Sequence, residues 1–462
     1  MRVSVITIFL AFLVLFSGCS YKSSVDIDSI GLPEVLEGNA SSRDKFWWES
    51  LGDSNLNAFI KEALKKSPDV NIAFSRIEAS RAALEEQDAI LMPTLSTKLD
   101  GSKKSTVHGA KVDSESYGFD GTLRYEIDLW GRLGALSTSK EFELLKTEES
   151  YKESALNLVE EISKNWYTLG AEILKQELLE DELSIYEDIL EIIKLRFANG
   201  QVDAVDVYRQ QQQIERLKVG LINTKTTISS LKRALLLLAG KDPLESFSYS
   251  PKLVDVDKLQ PKQIDSSLLL YRPDIRASYF AMYSKDALLA SRVKDLYPKF
   301  DIGLSILTQA TSWPQMFEDW VSNLFGSASL VLFDGGAKLS RIEAAEANLN
   351  ESEYLYLKTV LVALKEVEDA YTRAKAQYKI LDAQKKNHSL AKLSYERNLD
   401  MYLGGDDSFL NVLDAQNSFL GSEIDLINSK AALIEQRITL LSALGSSASV
   451  SDFKSIGEKS EQ

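Results

Sequence analysis

A chain of 462 residues that is 44% hydrophobic and 26% charged, with only nine prolines and 23 glycines, is an ordered chain with ample material for a core, not a collagen-like or low-complexity one. Its formal charge of −15 argues against nucleic acid as a partner, because phosphate contacts need clustered Lys and Arg. One cysteine excludes an intrachain disulfide framework, and two histidines leave little for a metal site, so composition leans away from an enzyme.

Residues 1–18 read as a targeting segment. Arg2 opens it, an apolar run extends from Val3 to Phe16, and Ser17-Gly18 place small residues before Cys19. The run is too short to span a hydrocarbon core, which needs roughly 20 residues. The segment resembles a bacterial lipoprotein signal, with Phe16 where leucine is usual. That resemblance implies a covalent lipid, palmitate among its acyl groups, on Cys19 as the new first residue. Ser20 in place of Asp then implies sorting to the outer membrane. The other reading is an ordinary secretory signal with an incidental cysteine. Residues 19–59 follow as the anchored N-terminal segment. With no further apolar stretch of spanning length, any membrane insertion beyond the anchor must use strands closed into a barrel.

From about residue 60 the chain repeats itself at an offset of 205 residues. Pro68-Asp69 recurs as Pro273-Asp274, Pro93 as Pro298, Gly131 as Gly336, Gly200 as Gly405 and Gly240 as Gly445. Two copies with one element order are expected, over 60–240 and 265–445. Residues 241–264 join them and 446–462 form a polar tail. The joining segment holds Pro243, Pro251 and Pro261 and reads as a linker. Each copy opens with a helix, 60–90 or 265–295, closed by Pro93 or Pro298. A β-hairpin follows, 94–130 or 299–333. Next comes a very long helix: 337–403 contains no Gly or Pro, and 135–198 contains only Gly170. Such helices approach roughly 100 Å. They stop at Asn199-Gly200 and Gly404-Gly405, since glycine permits the left-handed conformation that ends a helix. Asp203 and Ser408 are natural N-caps for returning helices over 203–239 and 408–444. An opening and a returning helix together match the long one, so the two short helices are expected to stack end to end alongside it.

In the first hairpin, Tyr117, Phe119, Gly121, Leu123, Tyr125, Ile127 and Leu129 alternate with Gly118, Asp120, Thr122, Arg124, Glu126 and Asp128. In the second, Phe300, Ile302, Leu304 and Ile306 alternate with Lys299, Asp301, Gly303 and Ser305. One face suits lipid and the other water, at the strand length of a membrane barrel. A soluble amphipathic hairpin packed on helices would show the same pattern. Four strands cannot close alone, so copies must pool them. Two copies give a filled barrel of eight strands and three give a barrel of twelve with a passage.

These residues resemble the TolC family of outer-membrane channel proteins, in its OprM-like lipoprotein branch. Phe46-Trp47-Trp48 with Leu51-Gly52-Asp53, the junctions Tyr125–Arg132 and Leu332–Gly336, and Val412-Leu413-Asp414-Ala415-Gln416 carry the likeness. The resemblance implies a mixed α and β membrane protein built as a duplicated α-β-β-α unit. Its α-helical barrel and transmembrane β-barrel, four strands per chain, close only in a homotrimer. It further implies a periplasmic adaptor (membrane fusion) protein and an inner-membrane pump as partners, with no cofactor beyond the lipid on Cys19. At the periplasmic gate, Asp414 matches an aspartate of the closed constriction, and Asn411 stands where some members have a second aspartate. Tyr402 and Asp206 match residues that link neighbouring hairpins, and Asp407 replaces an arginine, so a different lock is expected. The turns Asn199, Gly200, Asp203 and Gly404, Gly405, Ser408 are the candidate adaptor contacts, being paired and repeated.

The function expected is the outer-membrane channel of a tripartite efflux system, a passive conduit for small molecules. The alternatives are the outer-membrane channel of a type I protein secretion system and a periplasmic coiled-coil scaffold without a pore. Enzymatic activity is not expected, for want of a Gly-rich phosphate loop, a His-based site or a free cysteine.

Overall fold

The structure, a computed structural model, describes residues 25, 46–105, 108–109, 114–254, 272–445 and 448–453. Cys19 and the targeting segment lie outside them. Among the described residues no helix is long and apolar enough to cross a membrane. The chain divides into two compact units. One is built chiefly from Ile77–Thr147 and Ala277–Lys358, the other from Pro33–Arg76, Glu148–Arg276 and Thr359–Gln462.

A 3-10 turn at Trp47–Leu51 leads into α1 (Ser54–Lys66) and α2 (Pro68–Ala89). The single opening helix expected over 60–90 is therefore two helices. Its break has a physical cause: Ser67 precedes a proline and is extended, with ψ 128°. Pro68 then starts a new helix at the one position that tolerates a missing N–H. The second copy opens with α5 (Pro273–Lys294), again starting at the proline; residues 265–271 of the helix expected over 265–295 lie outside the described ones. Between α2 and α5 come β1 (Thr94–Lys104), β2 (Ser114–Ile127), α3 (Arg132–Ala198) and α4 (Ala204–Leu238). After α5 the order repeats as β3 (Lys299–Ala310), β4 (Val321–Ser329), α6 (Ala337–Gly404) and α7 (Phe409–Ala443). The long helices α3 and α6 have 67 and 68 residues.

In the first unit the four strands form one antiparallel sheet in the order β1-β2-β3-β4, so the two hairpins join through β2 and β3. The register aligns Leu95, Leu123, Leu304 and Leu324 in one row across all four strands, each exposed. Phe119, Tyr125, Ile127, Phe300, Ile302 and Ile306 share that face, because residues two apart along a strand point the same way. The opposite face carries Lys98, Asp120, Arg124 and Asp301, with Arg124 Nε 3.2 Å from Asp301 Oδ1. Aspartates start both long helices. Asp128 accepts from the Gly134 N–H at 2.8 Å, and Asp334 from those of Gly336 and Lys338 at 3.1 and 2.9 Å. Trp130 locks the first junction by donating to the Pro298 carbonyl at 2.8 Å.

The second unit holds the helix joints. Gly240, with φ +66°, lets the end of α4 pass against the Lys66 carbonyl and the Pro68 ring. Gly445, with φ +77°, lets the end of α7 pass close to Arg272 beside Pro273, where an added Cβ would lie 3.2 Å from the Arg272 Cα. Returning and opening helices thus meet end to end in both copies, at equivalent residues. Arg272 fastens the second joint, donating to the Ala443 carbonyl at 2.9 Å and to Asp274 and Glu366 at 2.7 Å each. Around the first, Trp166 is fully buried against Phe59, Phe247 and Tyr249 and donates to Asp53 at 2.9 Å. The described part of the linker therefore packs. Gly170, midway along α3, packs on the backbone of Pro251, which an added Cβ would meet at 3.4 Å. Phe453, in the segment read as a polar tail, is buried against Trp48 and Tyr151.

Candidate functional site

The turns that end α3 and α6 lie in the second unit, and each closes in the same way. At the first, the Gly200 N–H bonds the Phe197 carbonyl and the Gln201 N–H the Arg196 carbonyl, both at 2.9 Å. At the second, Gly405 bonds Tyr402 at 3.1 Å and Asp406 bonds Met401 at 2.9 Å. This double closure needs a left-handed residue, and Gly200 and Gly405 supply it with φ +71° and +88°. Asn199, Gly200, Gly404 and Gly405 are all exposed.

Asp203 and Ser408 occupy the N-cap positions of α4 and α7, but neither side chain accepts a capping hydrogen bond. At α7 the work falls to Asp407. Its Oδ1 accepts from the Ser408 N–H at 2.7 Å and from Asn411 Nδ2 at 2.6 Å. The carboxylate at 407 is thus matched by an amide donor at 411. A second carboxylate there would have repelled it.

Asp206 and Tyr402, expected from the resemblance to link neighbouring hairpins, have these partners within the chain. Asp206 pairs with Arg209 one turn along α4 at 3.7 Å, and burial pushes its carboxyl above the usual range. Tyr402 is buried among Ile189, Ile193, Phe409, Val412 and Leu413, with its hydroxyl unpartnered. Its backbone is held by a residue the sequence reading passed over. Arg196, from the last turn of α3, donates Nη1 to the Tyr402 carbonyl at 3.0 Å and Nη2 to that of Leu403 at 2.9 Å. Its guanidinium carbon lies 4.7 Å from the centroid of the Tyr402 ring. Arg196, Asp206, Tyr402 and Asp407 all line one open cleft of 390 Å³ between the turns. Asp414 lies outside that cleft, exposed on α7 while Val412, Leu413, Ala415 and Gln416 beside it are buried.

Further from the turns, an acid pair is enclosed between helices. Glu182 of α3 is 7% exposed, and burial, with Glu423 of α7 and Asp181 adding like charge, pushes its carboxyl up to about 7. Burial also raises Glu423, one of whose oxygens is enclosed without a hydrogen-bond partner, against a lowering contribution from Lys392. The Tyr186 hydroxyl, buried beside them, is likewise unpartnered. The sequence signal for this pair was absent, since both acids lie in strongly charged helices. The signal for Arg196 was present: its equivalent at the 205-residue offset is Met401, an asymmetry inside an otherwise matched turn.

The sequence profile of a family described as outer membrane efflux protein matches residues 59–241 and 265–446. The cation efflux system protein CusC of Escherichia coli strain K12 is 22% identical over 445 residues, covering 93% of this chain and 96% of that protein. A probable outer membrane lipoprotein of Salmonella typhimurium, SilC, is 22% identical over 412 residues and 88% of both. Among solved structures, the CmeC outer membrane channel of Campylobacter jejuni superposes with a TM-score of 0.81 at 22% identity, over 96% of each chain.

Proposed function

The chain belongs to the outer membrane efflux protein family, and from that premise we propose that it works as a passive conduit assembled from three copies. It is an outer-membrane efflux channel. The observation carrying the assembly is the four-stranded sheet, with one apolar and one charged face and with β1 and β4 at its edges. Unpaired edges are not tolerated in lipid, and four strands are too few to close. Pooling three sheets gives twelve strands and a water-filled passage, whereas two would give a small barrel filled by side chains. The long helices then line a periplasmic tunnel that meets an adaptor and an inner-membrane pump, which supplies the energy.

Cys19 carries the lipid that anchors the mature chain, a reading favoured by its likeness to a protein named as an outer membrane lipoprotein. Asp414 is exposed on α7, and in this reading its three copies face the axis, where their charge attracts cations. The exposed turns at 199–203 and 404–408 present backbone to the adaptor. Relatives named for cation efflux make cations a candidate cargo. Native mass spectrometry of the detergent-solubilised protein tests the assembly and the anchor together. Three chains, each carrying an acyl adduct that Cys19→Ser removes, are expected; a dimer contradicts the passage.

A further inference from the structure

The duplication supplies an internal control for buried surface, because a position in one copy has its equivalent 205 residues away in the other. The stripe by which a returning helix meets its own long helix is buried in both copies. It is Ile214, Leu217 and Ile228 on α4, and Phe419, Ser422 and Leu433 on α7. A second stripe is buried in one copy only. On α3 it comprises Leu179, Glu182, Tyr186, Ile189 and Ile193. The returning helix of the other copy, α7, covers it, with Val412 and Leu413 on the two isoleucines and Leu420 and Ile424 beside Leu179 and Tyr186. The equivalents on α6 are Gln384, Asn387, Ala391, Ser394 and Asn398, all exposed or half-exposed. Those on α4 are open as well. Tyr208 is 67% exposed where Leu413 is 4%, and Val219 is exposed where Ile424 packs. Ile222 lies one turn beyond and is exposed too, so the three make an apolar row on one face of a strongly polar helix.

We infer that the two open stripes are the halves of one interface between copies: the α6 stripe of one chain covers the α4 stripe of the next, repeating between chains the packing that α3 and α7 make within one. Such a contact joins unlike surfaces, and it ends in a closed ring when the rotation it imposes returns to the first copy. Three copies bring six hairpins to that ring, so the inference rests on the three-copy reading above. The chemistry of this seam differs from that of the seam inside the chain. Asn387 stands in place of Glu182 and Lys218 in place of Glu423, so the like-charged pair is not repeated. Ser394 and Asn398 stand in place of Ile189 and Ile193. One side of the seam is therefore small and rich in amides, the other an apolar row edged by Gln211, Glu215 and Lys218. Hydrogen bonds and bridging water hold such a contact, where apolar burial holds the one inside the chain. Copies then separate from one another before the hairpins of a chain do.

The test uses the full-length lipidated protein carrying Tyr208→Cys and Ser394→Cys, at the equivalents of Leu413 and Ile189, which share one cluster within the chain. Both positions are exposed. A disulfide forms only where the Cα atoms come within about 7 Å. Mild oxidation is expected to convert most of the protein to a covalent trimer on a non-reducing gel. Chains carrying one substitution each are expected to link as dimers when co-expressed, and neither to link alone. Arg209→Cys with Ser394→Cys is expected to stay unlinked, since the equivalent of Arg209 is Asp414, exposed in the chain. A second variant reads the polarity of the seam. Trimers are expected to dissociate on size-exclusion chromatography at a urea concentration below the one that melts the helices. Ser394→Ile with Asn398→Ile, which restores the residues of α3, is expected to move that dissociation to higher urea. A trimer whose Tyr208 and Ser394 cysteines do not link, as when a different protein covers the stripes, overturns the proposal. So does linkage no better than that of the Arg209 pair, or a dissociation that the isoleucines leave in place or lower. A protein that is not trimeric before oxidation fails the assembly reading, and this proposal with it.

Discussion

At the start of α7, one carboxylate holds two donors. Asp407 accepts from the Ser408 N–H and from the Asn411 amide, doing the capping that Ser408 leaves undone. Loss of such a cap costs on the order of 1 kcal/mol of helix stability. Asp407→Ala is therefore expected to speed amide hydrogen exchange in the first turn of α7, with the middle of that helix unchanged. Asn411→Asp is expected to do the same by placing two carboxylates side by side. Asp414 carries a different expectation. If three copies face one axis, Asp414→Ala weakens block by divalent cations in single-channel recordings; block unchanged by the substitution would remove Asp414 from the constriction. The sequence marked all of these positions, because turn glycines and capping acids have fixed places around a helix end. It did not show which partner each side chain takes. Within the chain Tyr402 packs on Ile189 and Ile193, and Asp206 pairs with Arg209.

Among elements, the pairing of α3 with α7 contains the enclosed acids Glu182 and Glu423, with Asp181, Tyr186, Tyr395 and Lys392 around them. A carboxyl raised to about 7 binds its proton more tightly in the folded protein than in the unfolded chain. Its contribution is therefore fully present at low pH and is lost as pH climbs from the ordinary carboxylate range to about 7. The loss is up to about 3 kcal/mol per chain. The thermal midpoint is expected to fall between pH 5 and pH 8, and Glu182→Gln to flatten that dependence. A wild-type midpoint independent of pH would contradict the enclosed pair. The joints offer a steric counterpart. A methyl group at Gly240 would run into the Lys66 carbonyl at a positive φ, so Gly240→Ala is expected to cost about 1–3 kcal/mol. Gly421→Ala, in open space on α7, is expected to be neutral or mildly stabilising, and the two midpoints compared check this.

The long helices and their ends were legible because breakers are sparse and sit at the turns. The Ser67-Pro68 break was less so, since a proline at the first helical position permits a new helix without demanding one. Glu182 was illegible: it lies in a run with Glu180 and Asp181, and the like charge of Glu423 beside it comes from far along the chain.

Over the whole molecule, the duplication places the two hairpins in one sheet, which neither hairpin reveals alone. Alternation in Tyr117–Ile127 read the two faces correctly, but the leucine row depends on the register of four strands, and register is a tertiary property. Family membership and the alternating faces together set aside a scaffold without a pore, for which an exposed leucine row has no use. The account then stands on one claim, that copies of this sheet enclose a water-filled passage. Recording from the purified lipidated protein in planar bilayers tests it most directly. Discrete, long-lived conductance steps that favour cations are expected, in keeping with the acidity of the chain. Silent bilayers, with the protein inserted and its trimers intact, would contradict the channel.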